Sequence, residues 1–598
     1  NFSNRVFNTR IRLYDQKARS IPTEQNDPLL VAAIDFGTTF SGYAFAFKGD
    51  YKEDPLKISG FQWTLGSQPG LSLKTPTCVL FNPSGQFDSF GSEAEEHYTS
   101  LAEGDNHRGW HFFRRFKMQL YRNDEIPRDM TLEDDQGNHL PAIKVFSESI
   151  NYLRDHLMKQ IEKKDLQLKP SEITWVLTVP AIWSDPAKQF MREAAVKGGI
   201  PNSQLMLALE PEAASIYCKH LPVERMACGG KSALAAFSPG TKYLILDAGG
   251  GTIDITVQEV QVDGSIKQLY MANGGDWGGT KVDQSFEEFL IGLVGDRTVY
   301  KFHDDDKAGH LDLCREFEIK KRSIQPDQTS KVTFKVPITL SEIFEQEKGE
   351  DFRTSMSTQQ VKWISDKLRV DPEIARTFFD SPCTHIIDHL KSIFNENKVR
   401  GTNTILMVGG FSESPMLRDA VEKGFPGKTI IIPNEAGLAV LKGAVQYGYE
   451  PRIISTRVCK FTYGVRTNSK FEQGVDPESK KHVVDGSVKC RDRFKKHVEI
   501  GQAVHINEAT EEHVYYPLYS DQREMLVEIY TSKEKNPRYS DEPSCAYLGE
   551  LTVDMSDTKG GKNRQVSVQL VFGGTEIEVK ALNKTSGVQT TAKLNFLR

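Results

Sequence analysis

The residues best equipped for chemistry sit in two near-identical turns. In VAAIDFGTTFSGYAF, residues 31–45, an apolar run ends on Asp35, passes Gly37, Thr38 and Thr39, and becomes apolar again from Phe40. LILDAGGGTIDITVQ, residues 244–258, repeats the arrangement with Asp247, Gly249, Gly250, Gly251, Thr252 and Asp254. Glycine lets backbone N–H groups approach an anion closely and threonine adds hydroxyl donors, so each turn suits a phosphate chain. The carboxylates would repel phosphate directly. They make sense as outer ligands of Mg²⁺, holding its waters while the metal neutralises the phosphates. A third glycine pair, Gly409 and Gly410 in MVGGFSES (407–414), closes another apolar run and would let a flat base or ribose reach the backbone. A single Asp-x-Gly after a strand is usually a plain turn. Two matched turns and a Gly-Gly strand end, in this order, form a specific constellation and point to two related halves facing each other.

The elements that must hold these turns alternate between strands and helices. Short apolar strands broken by Gly and Pro fill 29–82, and helical patterns occupy 145–168 and 184–198 with the continuous strand ITWVLTVP between them. Helical text dominates 281–325 and 359–397. Such alternation implies an α/β architecture to about residue 448. From 455 onward the chain reads as strands, among them KFTYGV, MLVEIYT, LGELTVDM, RQVSVQLVF, TEIEVKAL and TAKLNFL, with no long helical stretch. That pattern predicts a β-sandwich-like domain. The expected division is an N-terminal arm over 1–28, a two-lobed domain over 29–448, a linker over 449–460 and the β domain over 461–598. Lobe I takes 29–218 and 433–448, and lobe II takes 241–432.

At 598 residues the chain is too long for one core. With 38% hydrophobic and 26% charged residues and a net charge of −6, it does not read as a nucleic-acid or membrane binder. No apolar run approaches the ~18–20 residues of a membrane span. The N-terminal stretch has no apolar core for a secretory signal. Eight scattered cysteines without a C-x-x-C pair predict reduced thiols and a cytoplasmic location, with a nuclear one as the alternative.

DFGTTFSG (35–42), LDAGGGTIDI (246–255) and VGGFSES (408–414) resemble the phosphate and adenosine motifs of the actin, hexokinase and heat-shock ATPase superfamily. More closely they resemble the seventy-kilodalton heat-shock chaperones, and AIDFGTTFSGYAF with FKMQLY is most similar to their divergent member-twelve subfamily. LTVPAIWSD (177–185), LALEPEAASIY (207–217), GGDWGGTKVD (274–283), FEIKKRS (317–323) and PNEAGLAVLKGAV (433–445) agree. The resemblance implies an actin-like α/β ATPase domain of duplicated ribonuclease-H-like halves, followed by a β substrate-binding-like domain without a helical lid. It implies ATP or ADP with Mg²⁺ as cofactor, and a client or partner protein held by the β domain.

The resemblance also implies roles. Gly37, Thr38, Thr39 and Phe40 would hold the phosphates from one side, and Gly249, Gly250, Gly251 and Thr252 from the other, with Gly278 and Gly279 nearby. Asp35 and Asp247 would organise Mg²⁺ through water, while Glu210 and Asp254 would orient the attacking water or take its proton. A basic residue of FFRRFKMQLY would meet the γ-phosphate: Lys117, or alternatively Arg115 or Arg114. Glu318, Lys321 and Arg322 would contact ribose and adenine. Phe411 and Glu413 stand where these chaperones generally carry Ser and Arg, so Phe411 is expected to offer the base a ring surface instead. Lys188 replaces an arginine, and EPRIISTRVC replaces the usual linker. Three functions follow: an ATP-hydrolysing switch coupled to protein binding, a nucleotide-binding scaffold with negligible hydrolysis, and, least favoured, a small-molecule kinase.

Overall fold

The computed structural model describes residues 28–598 except 66–67, 124–125, 165–166, 223–225, 228–236, 356–357, 359, 574–575, 595–596 and 598. The arm expected over 1–28 lies outside the described residues but for its last. Apart from Asp35 at its end, LVAAIDF is apolar because strand Leu30–Phe36 is covered on both faces. Leu30, Ala32, Ile34 and Phe36 enter one core, while Val31 and Ala33 enter another. This strand forms a hairpin with Phe40–Phe47 and pairs in parallel with Ile173–Val179, which in turn pairs in parallel with Leu205–Leu209. Helices Ala142–Glu162 and Asp185–Lys197 pack on one face, and Glu210–His220 and Ala439–Tyr449 on the other.

The second lobe repeats the plan. Strand Lys242–Ala248 forms a hairpin with Ile253–Val260 and pairs in parallel with Thr404–Val408, which pairs in parallel with Thr429–Pro433. The two hairpins correspond closely: Asp35 sits opposite Gly42, and Asp247 opposite Asp254. Helix Ala439–Tyr449 returns to the first lobe and meets Glu210–His220 backbone to backbone. A Cβ at Gly443 would overlap the Ala213 carbonyl.

Two segments differ from expectation. Within the helical reading of 359–397, Val361–Ile364 and Lys367–Val370 form a hairpin, because their apolar residues alternate with a period of two. The expected linker contains strand Ile454–Val458, whose alternate residues are buried. It pairs in parallel with Ile266–Gly275 of the second lobe and antiparallel with Ala503–His505 of the C-terminal unit, so an eight-stranded sheet spans the junction. The C-terminal unit holds a five-stranded and a four-stranded sheet around one core that includes Val465, Ile529, Val553, Val568 and Val579. No helix among the described residues is long and apolar enough to cross a membrane.

Candidate active site

The two Asp-Gly turns come face to face at the base of a cleft of about 800 Å³, a volume suited to one small ligand. Their approach is so close that only glycine fits: a Cβ at Gly250 would overlap Thr39, and one at Gly251 would overlap Thr38. Gly37, Thr38, Thr39, Phe40, Gly249, Gly250, Gly251 and Thr252 all line the cavity. Gly278 and Gly279 do not. They brace the second turn, donating N–H bonds to the carbonyls of Gly251 and Gly249 at 3.1 Å each.

Four acids, three of them buried and Glu210 partly so, gather beside the turns. Asp35 accepts from Thr178 Oγ1 at 2.7 Å and pairs with Lys74 Nζ at 2.7 Å. Burial alone would raise its pKa, but Lys74, aided by Lys117 and Thr178, holds it below the usual carboxylate value. Glu210, at the start of its helix, pairs with Lys117 Nζ at 2.8 Å. Its burial, reinforced by Asp35 and Asp254 against Lys117, lifts it to about 7. Asp247 is pushed well up by burial and by the neighbouring Glu210, Asp254 and Asp35. Asp254 also rises through burial, and it accepts the Ile182 N–H at 2.8 Å. Thr252 hydrogen-bonds to it, and it stands behind that residue rather than among the cavity-lining side chains.

Lys117 is the member of the basic cluster that reaches the acids. Arg115 is engaged by Asp283 at 2.6 Å across the lobes, and Arg114 by Glu95 at 3.8 Å. The Lys117 ammonium also lies 5.1 Å from the centroid of the Trp183 ring.

The residues fit a hydrated magnesium ion. Among the described residues no three acidic, histidine or cysteine side chains converge as direct metal ligands. Asp247 nevertheless stands among three other carboxylates without an ion pair of its own among the described residues, a charge deficit that an ion held through water would fill.

At the other end, Glu318, Arg322, Gly409 and Gly410 line the cavity. Arg322 pairs with Glu318 at 2.7 Å and lies 5.2 Å over the Phe40 ring. Gly409 has a φ of +83°, and a Cβ there would press on the Ala248 carbonyl and Asp247. Two expected contacts are corrected. Phe411 turns inward to the second lobe's core, packing near Gly279, and offers no ring to a base. Glu413 faces the cavity instead and accepts the Gly437 N–H at 2.9 Å. Lys321 is likewise buried, held by Asp283 at 2.6 Å and Glu318 at 2.5 Å, so it fixes Glu318 rather than lining the cavity.

Among the cavity residues that escaped the sequence reading are Lys74 and Cys314. Lys74 belongs to no motif; only its place just before the buried strand Cys78–Phe81 could have drawn notice. Cys314 lies 3.8 Å from His310, which with Arg114 draws its thiol down to about 6 despite burial.

Two duplicated α/β lobes with facing phosphate turns over a shared cleft define an actin-like ATPase fold with a nucleotide site. A sequence model of the Hsp70 protein family matches residues 127–491. The chain is 32% identical to heat shock 70 kDa protein 12A of Homo sapiens over an alignment of 630 residues, covering 96% of this chain and 92% of that protein, and equally to its Mus musculus counterpart. It is also 32% identical to heat shock 70 kDa protein 12B of Homo sapiens, over 95% of this chain and 91% of that one. The chain belongs to the Hsp70 family, as a divergent member.

Proposed function

We propose that the protein binds ATP with Mg²⁺, hydrolyses it slowly, and links nucleotide state to the binding of a client or partner protein by its C-terminal β-sandwich. The observation that carries this reading is the Lys117–Glu210 pair, set beside the facing phosphate turns at the floor of the cleft. Mg²⁺, held through water by Asp247 and Asp35, would neutralise phosphate charge. The glycine amides and Thr38, Thr39 and Thr252 grip the phosphate chain, and Lys117 faces its terminal group. Glu210 orients the attacking water, and its raised pKa lets it accept a proton near neutral pH. Glu318, Arg322, Gly409 and Gly410 receive the nucleoside end.

A scaffold with negligible hydrolysis is the second reading, and one observation favours it: Asp35 is already engaged on both oxygens, by Lys74 and Thr178. Single-turnover hydrolysis of ATP, with binding measured separately, decides. The switch reading expects turnover in the wild type and loss of the chemical step, with binding retained, in Glu210→Gln. Binding without cleavage in the wild type would favour the scaffold.

A further inference from the structure

We propose that Lys74 is a built-in counter-cation of the phosphate site, so that the cleft holds a nucleoside diphosphate with little dependence on a divalent ion; this rests on the nucleotide reading above. The ammonium sits 2.7 Å from Asp35 Oδ2 and 2.8 Å from the Gly437 carbonyl, bridging the first phosphate turn to the segment beside Gly409. An ammonium has three donors, and these contacts use two of them. Thr178 occupies the other oxygen of Asp35. A hydrated ion approaching Asp35 therefore meets a carboxylate whose charge Lys74 already offsets.

The two halves explain how a lysine came to stand there. Opposite Asp247 in its hairpin is a second acid, Asp254, whereas opposite Asp35 is Gly42. A Cβ at Gly42 would overlap the Leu73 carbonyl and press on Lys74 at 3.1–3.2 Å. The missing side chain is what lets residues 73–74 lie over the strand and bring the lysine to the carboxylate. One half thus sets a neutral acid–base pair at the cavity, and the other sets Asp247 there with a second acid, Asp254, behind it. Lysine binds phosphate well as a point charge. Without it, Asp35 would face the phosphates bare, and only a metal would make binding favourable.

The test is calorimetric titration of the full chain with ADP, in saturating Mg²⁺ and in excess EDTA, for wild type, Lys74→Met and Lys74→Arg. Wild type should lose less than about tenfold in affinity on metal removal, and Lys74→Met more than about a hundredfold, with Lys74→Arg close to wild type. A wild-type loss beyond tenfold overturns the proposal, as does a Lys74→Met protein that tolerates EDTA equally well. The wild-type comparison decides alone should Lys74→Met fail to fold. Failure of every form to bind ADP even with Mg²⁺ would instead bring down the nucleotide reading beneath it.

Discussion

Arg457, on the strand leading into the β unit, clasps Glu212, two residues along the helix from Glu210. Its Nε and one terminal nitrogen donate to the two carboxylate oxygens at 2.8 and 2.5 Å, and both side chains are nearly out of water. A planar fork on a carboxylate fixes direction as well as distance. The helix that presents Glu210 to the cleft is thereby tied to the strand that carries the β unit.

Breaking that clasp should loosen the junction. Glu212→Ala leaves a buried guanidinium unpaired, a loss of about 3–5 kcal/mol. Limited proteolysis should then cut within 449–460 much faster than in wild type. The Glu212→Ala/Arg457→Leu double variant should recover most of the protection, and coupling between the two sites is read from the cycle.

The buried acids set a pH dependence. Glu210 rises from 4.5 to about 7 on folding, so the folded state holds its proton where the unfolded chain has lost it. The contribution of Glu210 to the stability of the nucleotide-free protein should therefore fall as pH climbs from about 4.5 to about 7 and then level off, read as the difference between wild type and Glu210→Gln at each pH. Asp247 acts in the same sense. Asp247→Asn should flatten the slope, and raise melting at neutral pH by a few degrees, for about 1–2 kcal/mol. Melting curves across pH check both.

Cys314 should alkylate as a thiolate. With its thiol near 6, iodoacetamide labelling should reach its plateau by about pH 7, where an ordinary cysteine is still accelerating. ADP should slow the labelling severalfold, because Cys314 lines the same cavity. Mass spectrometry of the Cys314 peptide, with and without ADP, gives the answer.

Gly443→Ala tests the helix crossing beneath the site. Its methyl group would overlap the Ala213 carbonyl, forcing apart the helix that begins at Glu210 and its partner. A cost of about 1–3 kcal/mol in thermal stability is expected, with slower turnover than nucleotide affinity alone would account for.

The fold and the centre of the site were legible because they rest on local pattern. Buried strands ending on Asp35 and Asp247, and glycines that nothing else could replace, appear as contiguous words in the sequence. What stayed hidden depends on direction and distance in space. Phe411 sits beside two cavity glycines, yet a short 3₁₀ turn swings its ring into the core. Lys74 has no periodicity or motif, and its importance comes from Gly42 across a hairpin. Arg457 and Glu212 meet only because the chain after the lobes adds a strand to their sheet. Among the three basic residues of 114–117, composition could not choose; Asp283 and Glu95 chose by taking the arginines.

The strand Ile454–Val458 has a neighbour on each side, one from the second lobe and one from the β unit. Cutting the chain at the apparent domain boundary would therefore not release a tidy nucleotide-binding half. A truncation before Ile454 strips two strands and leaves Ile266–Gly275 with an open row of backbone donors and acceptors. One ending after Val458 removes only Ala503–His505 and leaves a β-branched edge bare. Either fragment would invite self-association through the exposed edge, an edge that the full chain keeps paired.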